Sequence, residues 1–196
     1  MSEENVQNQA PQSSRNEILA FVWETIKVVV ISLAIILPIR YYLVQPFFVK
    51  GASMEPNFED GDYLLVDEIS YRFEEPVRGD VIIFRYPEDR SQFFIKRIIG
   101  LPGETIEIKK NKVIIYNTES SEGFLLAESY LDSKQETLGN MLIRLDDNEY
   151  FVLGDNRLAS SDSRRWGPVN KMLITGKAFL RAWPFNKFDK IEGTTY

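Results

Sequence analysis

Three places in this 196-residue chain carry residues whose types could do chemistry together: Ser53, Lys96, and the polar run from Gly154 to Val169. Ser53 lies in FFVKGASMEPNFEDGD, in a tight GAS turn that follows an apolar strand. Small residues on its N-terminal side let a peptide backbone approach and leave main-chain N–H groups for an oxyanion. Gly-x-Ser alone is weak, because most such serines are plain turn residues. Lys96 lies in QFFIKRIIG, where strand alternation puts Phe94, Lys96 and Ile98 on one face and Phe93, Ile95, Arg97 and Ile99 on the other. An ammonium between apolar neighbours loses hydration, which lowers its pKa toward what a general base needs near neutrality. The competing reading is an edge-strand lysine that blocks aggregation, a role Arg97 fits better, since one of the two must face outward. The run GDNRLASSDSRRWGPV gathers Asp155, Arg157, Ser160, Asp162, Ser163 and Arg164. It is either a solvated polar loop or a set of donors and acceptors that orients a neighbouring site.

What is absent narrows the chemistry. The chain has 0 His and 0 Cys. A Ser-His-Asp triad, a Cys-His nucleophile, a disulfide and any metal site built on His or Cys are excluded. A serine nucleophile here needs a lysine, a carboxylate or a terminal amine as its base. The net charge of −6 argues against a general nucleic-acid surface, which requires a basic face.

These residues need elements to hold them. Residues 1–17 are polar and read as a disordered tail. Residues 18–42 change character, with an uncharged stretch from Val28 to Ile39 extended N-terminally through Glu24 and Lys27. Those two charges are three apart, meet on one helix face and offset each other. Arg40, Tyr41 and Tyr42 resemble an interfacial belt, so the segment reads as a single transmembrane anchor. A cleaved secretory signal is disfavoured by the acidic n-region, and a soluble core helix would need something large to cover it. Basic residues flank the span on both sides, so charge leaves its orientation open.

From residue 43 to 196 the pattern is β. DYLLVDEI, DVIIFRY, QFFIKRIIG, ETIEIKK, KVIIYN, MLIRL, EYFVLGD and LITGKAFLRAW are short, rich in β-branched and aromatic residues, and separated by turns such as PVRGD, GLPGE and KKNK. The expected fold is mainly β: a partly open barrel or sandwich after the anchor. The segment 117–140 is more polar and irregular, either an extension of the β domain or a lobe that touches substrate.

Four segments in order, GASMEPNFEDGD, RGDVIIF, FFIKRIIGLPGE and FVLGDNRLASSDSRRWGPV, resemble the boxes of bacterial type I signal peptidases, and GKAFLRAWPFNKF resembles the end of that family's catalytic region. The likeness runs from about residue 18 to residue 188. It implies a membrane-bound serine endopeptidase that removes signal peptides through a serine–lysine dyad and an acyl-enzyme, without metal or cofactor. By that resemblance Ser53 is the nucleophile and Lys96 the general base. Ser160 is the serine that hydrogen-bonds and orients the lysine, and Asp162 and Arg164 form a polar pair supporting the site. Main-chain N–H groups of Ser53 and Gly51 would hold the oxyanion, because Gly51 stands where some members carry a serine hydroxyl. Asn57 stands where Thr is usual and Asn170 where Pro is usual.

The resemblance further implies preprotein substrates with small residues at −1 and −3, a lipid bilayer as partner, no nucleic acid, and an extracytoplasmic catalytic domain on a single-pass anchor whose tail is cytoplasmic. Oligomeric state is not readable. Two rivals stand beside this reading. One is another Ser-Lys peptidase, such as a self-cleaving repressor or a pilin-processing peptidase. The other is a non-catalytic membrane-tethered β module, which would not need both Ser53 and Lys96.

Overall fold

The computed structural model describes residues 12–42, 44–132 and 135–194. Most of the expected tail, residues 1–11, lies outside them. The chain divides into an N-terminal helical unit and a β unit that begins at Tyr42.

The helical unit is α1 (Gln12–Tyr42). It therefore takes in residues 12–17, which composition had assigned to the tail. Gln, Arg and Glu are good helix formers, and their polarity does not stop a helix that continues into an apolar run. Glu17–Leu37 is long and apolar enough to cross a membrane, and its side chains are all exposed. Those 21 residues rise about 32 Å, close to the hydrocarbon thickness of a bilayer. Lys27 Nζ donates to Glu24 Oε1 at 2.6 Å, so the two charges pair as their spacing predicts.

The β unit begins with β1 (Val44–Phe48), β2 (Tyr63–Asp67), β3 (Val81–Arg85) and β4 (Phe93–Gly100). Next come β5 (Thr105–Lys109), β6 (Lys112–Tyr116), β7 (Phe124–Leu125), β8 (Met141–Arg144) and β9 (Glu149–Leu153). A short helix α2 (Ser163–Trp166) precedes β10 (Val169–Asn170), β11 (Ile174–Trp183) and β12 (Asp189–Lys190). All eight strands read from alternation are present. The two-residue strands were too short to leave a pattern.

Two antiparallel sheets result. The larger runs β1-β2-β11-β3-β4-β9-β10, with β12 beside β11, and the smaller runs β7-β6-β5-β8. The KKNK turn closes the β5–β6 hairpin with Lys110 and Asn111 both at positive φ, the pairing a two-residue turn between twisted strands requires. Neither sheet closes into a barrel. The larger one curls far enough that Phe47 of β1 packs edge-on against Phe93 of β4, ring centroids 5.3 Å apart.

That curl positions the site. The face bearing Val49, Leu64, Val66, Ile83 and Ile95 is one buried core, and Ile82, Phe84, Ile98 and Val152 on the opposite face belong to another. Strand β4 is covered on both faces, and this overturns one expectation: Arg97 does not face outward. Lys96 and Arg97 are 3% and 4% exposed, respectively. The segment 117–140 contributes β7 to the smaller sheet, and its later part packs around the buried Arg157. Its described residues thus pack as part of the β unit.

Candidate active site

A cleft of about 730 Å³ opens between β1 and the first half of β4, lined by Phe47, Val49, Leu64, Ile83, Phe93 and Ile95, with Ser53 and Lys96 also in its wall. Its two sides are strand edges. Strand β1 ends the larger sheet, and β4 pairs with β9 only over Arg97–Gly100, leaving Phe93–Lys96 without a neighbouring strand on that side among the described residues. Strand edges that face each other in this way form a slot for an extended peptide.

The expected nucleophile–base pair meets here. Lys96 Nζ lies 2.8 Å from Ser53 Oγ and donates to the Ile95 carbonyl at 2.8 Å. Phe94 sits beside it on the same strand face, its ring centroid 5.5 Å from Nζ. Burial pushes the Lys96 pKa down to about 8, against the opposing pull of the Asp162 and Asp155 carboxylates. At pH 7 roughly a tenth of such a lysine is neutral, and near pH 8 half of it is. A buried amine in this state against a serine hydroxyl can take the hydroxyl proton.

The third sequence cluster frames the pair. Asp162 caps α2 and accepts from Gly154 N–H at 3.1 Å. Arg164 clamps the same carboxylate through Nε and Nη2, each at 2.8 Å, and Nη2 also donates to the Arg157 carbonyl at 2.7 Å. The expected Asp162–Arg164 pair is therefore formed. Ser160 is at the site too, but its buried Oγ has no hydrogen-bond partner among the described residues. The structure thus places Ser160 near the pair without the bond to Lys96 that the resemblance implies. Gly154 must be glycine, since a Cβ there would lie 2.2 Å from Ser160 Oγ and 2.4 Å from the Ser53 carbonyl oxygen.

One expected role does not survive. The Gly51 N–H is not open to an oxyanion, because it donates to Asp60 Oδ1 at 2.7 Å. A carboxylate holding that N–H competes with any substrate oxygen. The Ser53 N–H has no acceptor among the described residues.

Residues that the sequence analysis named without foreseeing their contacts complete the frame. Arg97 donates through Nε and Nη2 to Asp155 at 2.9 and 2.6 Å, and its guanidinium stacks on Tyr130. Asn57 donates to the same carboxylate at 2.8 Å. Arg157 is buried against Glu128, Thr137, the Tyr130 hydroxyl and the Gly154 carbonyl. The available signal was the Lys96–Arg97 doublet inside an apolar strand, and acidic residues in loops far along the chain gave no hint of its partners. Among the described residues no cluster could hold a metal ion.

The family model described as "Signal peptidase, peptidase S26" matches residues 22–183. A probable signal peptidase I from Synechocystis sp. is 36% identical over 184 residues, covering 90% of this chain and 90% of its own. The signal peptidase I of Leptolyngbya laminosa is 35% identical, covering 92% and 89%. That of Bacillus licheniformis is 32% identical, covering 87% and 94%.

Proposed function

The chain belongs to the signal peptidase family, peptidase S26, whose members are serine endopeptidases, and from that premise we propose how its own residues remove signal peptides from exported preproteins. The observation that carries the reading is the 2.8 Å contact between Lys96 Nζ and Ser53 Oγ at the end of an apolar cleft edged by two open strands.

Neutral Lys96 takes the Ser53 hydroxyl proton as Oγ attacks the scissile carbonyl. The oxygen that becomes negative lies against the Ser53 N–H. When the tetrahedral adduct collapses, the C–N bond breaks and the Lys96 ammonium passes its proton to the leaving amine. The acyl group stays on Ser53 as an ester. Lys96, neutral again, takes a proton from water as it attacks the ester, and returns that proton to Oγ on release of the new carboxyl end.

A preprotein segment enters as an added strand between β1 and the open edge of β4. In this reading the slot takes small residues at −1 and −3, with Ile83, Ile95 and Leu64 among the residues that line it. In this reading Asp162 and Arg164 keep the 154–164 loop in place, and Ser160 turns toward Lys96 during the cycle.

The bilayer is the second partner. An aromatic row crosses three strands on one edge of the β unit. Phe48 packs on Tyr63, Tyr63 pairs across to Trp183, and Trp183 packs on Phe185. Phe48 and Phe185 are 65% and 75% exposed. Phe47 and Val49, on either side of Phe48 in the chain, take no part in this row, because Phe47 packs on the core and Val49 is buried. Such a row suits the headgroup layer of a membrane. With α1 as a single-pass anchor, the tail is cytoplasmic and the β unit works on the extracytoplasmic side.

The test is cleavage of a purified preprotein in detergent or proteoliposomes by wild type and Ser53→Ala, with the new N-terminus sequenced. The reading expects one cut after a small-x-small segment by wild type alone. A cut that survives Ser53→Ala, or one indifferent to Leu at −1 and −3, overturns it.

A further inference from the structure

We infer that Asn156 is a positioning residue for the oxyanion donor, holding the peptide planes on both sides of Ser53 so that the Ser53 N–H faces the substrate carbonyl. The inference rests on the reading of Ser53 as nucleophile.

The geometry is specific. Asn156 Nδ2 donates to the Ala52 carbonyl at 3.0 Å, and Asn156 main-chain N–H donates to the Ser53 carbonyl at 3.1 Å. One residue thus bonds both consecutive carbonyls of the nucleophile turn. A trans peptide is planar, and its C=O and N–H point to opposite sides. Pinning the Ala52 carbonyl therefore sets the direction of the Ser53 N–H, which belongs to the same plane. That N–H has no acceptor among the described residues, on a residue that lines the cleft. The preceding turn is tied separately by Asp60, which occupies the Gly51 N–H. With Gly51 offering neither hydroxyl nor open N–H, oxyanion stabilisation falls on fewer donors, and the aim of the Ser53 N–H matters more.

Asn156 is itself fixed. Its Oδ1 accepts from Ala159 N–H at 3.3 Å, which leaves Nδ2 as the group facing Ala52. Its neighbours Asp155 and Arg157 are buried in ion pairs with Arg97 and Glu128. Gly154 brings the same loop against the Ser53 carbonyl, as its missing Cβ allows. The Ala52 carbonyl also accepts from Glu55 N–H at 3.2 Å. Losing Asn156 Nδ2 therefore loosens the plane without freeing it.

The experiment uses the full chain in detergent, as wild type, Asn156→Ala and Asn156→Leu, the last keeping the branched side-chain skeleton without its hydrogen-bonding groups. Four quantities are read: kcat and KM on a signal-peptide substrate, the pH midpoint of kcat, the affinity for a peptide boronic acid that forms a tetrahedral adduct on serine, and Tm. We expect kcat to fall about 10- to 100-fold, less than the loss of a whole oxyanion donor, with KM within about threefold. Boronate affinity should fall by the same factor as kcat/KM, while the pH midpoint stays at that of wild type. If Asn156→Ala lowers Tm, Asn156→Leu carries the comparison. A kcat within threefold of wild type in both variants overturns the inference, as does a loss that leaves boronate affinity unchanged or moves the pH midpoint. Ser53→Ala runs alongside. If it still cleaves, the reading of the nucleophile has failed; if it is inactive and the Asn156 variants are not, only this inference has.

Discussion

Lys96 reaches Ser53 Oγ at 2.8 Å while no carboxylate among the described residues bonds its amine, its other hydrogen bond going to the Ile95 carbonyl. The base is thus set by burial, with Asp162 and Asp155 pulling its pKa back up from a distance. Removing a carboxylate charge should free the lysine to lose its proton earlier. Asp162→Asn is expected to move the pH midpoint of kcat/KM below that of wild type, whatever it does to the maximum. A midpoint that rises would mean that the Asp162 charge does not act on Lys96.

The same burial makes Lys96 a stability liability. Its folded pKa, about 8, lies below the ordinary 10.5, so between these values the unfolded chain binds more protons. Stability from this group therefore rises with pH through that window, and below pH 8 the folded state carries the full penalty of about 3 kcal/mol. Lys96→Met removes the charge and keeps the volume, giving up only the bonds to Ser53 and Ile95. Thermal melts should show the variant more stable by several degrees at pH 7, with the gain shrinking toward pH 10.5. Equal melting points at both pH values would contradict the burial argument.

Ser160 separates structure from turnover. Its buried hydroxyl has no partner among the described residues, so Ser160→Ala should leave Tm unchanged or slightly raised. If the hydroxyl turns to Lys96 during the cycle, kcat falls about tenfold. Stopped-flow acylation with both readings on one preparation decides it. Unchanged kcat would remove Ser160 from the site.

Gly154 is the reverse case. A Cβ there meets the Ser53 carbonyl at 2.4 Å, and that main-chain atom cannot yield without moving the nucleophile. Gly154→Ala should fold, by circular dichroism, and lose at least about 100-fold in kcat/KM, since small displacements of reacting groups are costly. Activity near wild type would show that the turn is more pliant than the contact implies.

Much of this was legible in the sequence because local pattern and chemistry coincide. The alternation in QFFIKRIIG put Lys96 on an apolar face, the absence of histidine left a lysine, a carboxylate or a terminal amine as the base for Ser53, and the family resemblance pointed to Lys96. The Asp162–Arg164 pair is two residues apart, so its contact is a local event. What failed was long-range. Arg97 read as solvent-facing because strand alternation cannot show that β4 is covered on both faces, by Asp155 and Tyr130 from loops 33 to 58 positions away. Gly51 read as an oxyanion donor because nothing local reveals that Asp60 curls back onto its N–H. Glu128 and Thr137, in a stretch that looked irregular, gain meaning only once Arg157 is seen buried between them.

The central claim is that a neutral Lys96 activates Ser53. Its most direct measurement is the single-turnover rate of preprotein cleavage from pH 6 to 10 in wild type and Lys96→Ala. We expect the wild-type rate to climb about tenfold per pH unit at first and level off around a midpoint near 8, the value burial gives Lys96, with Lys96→Ala lacking the ionisation and the activity. A rate flat across that range, or one that keeps its midpoint in Lys96→Ala, would contradict the account.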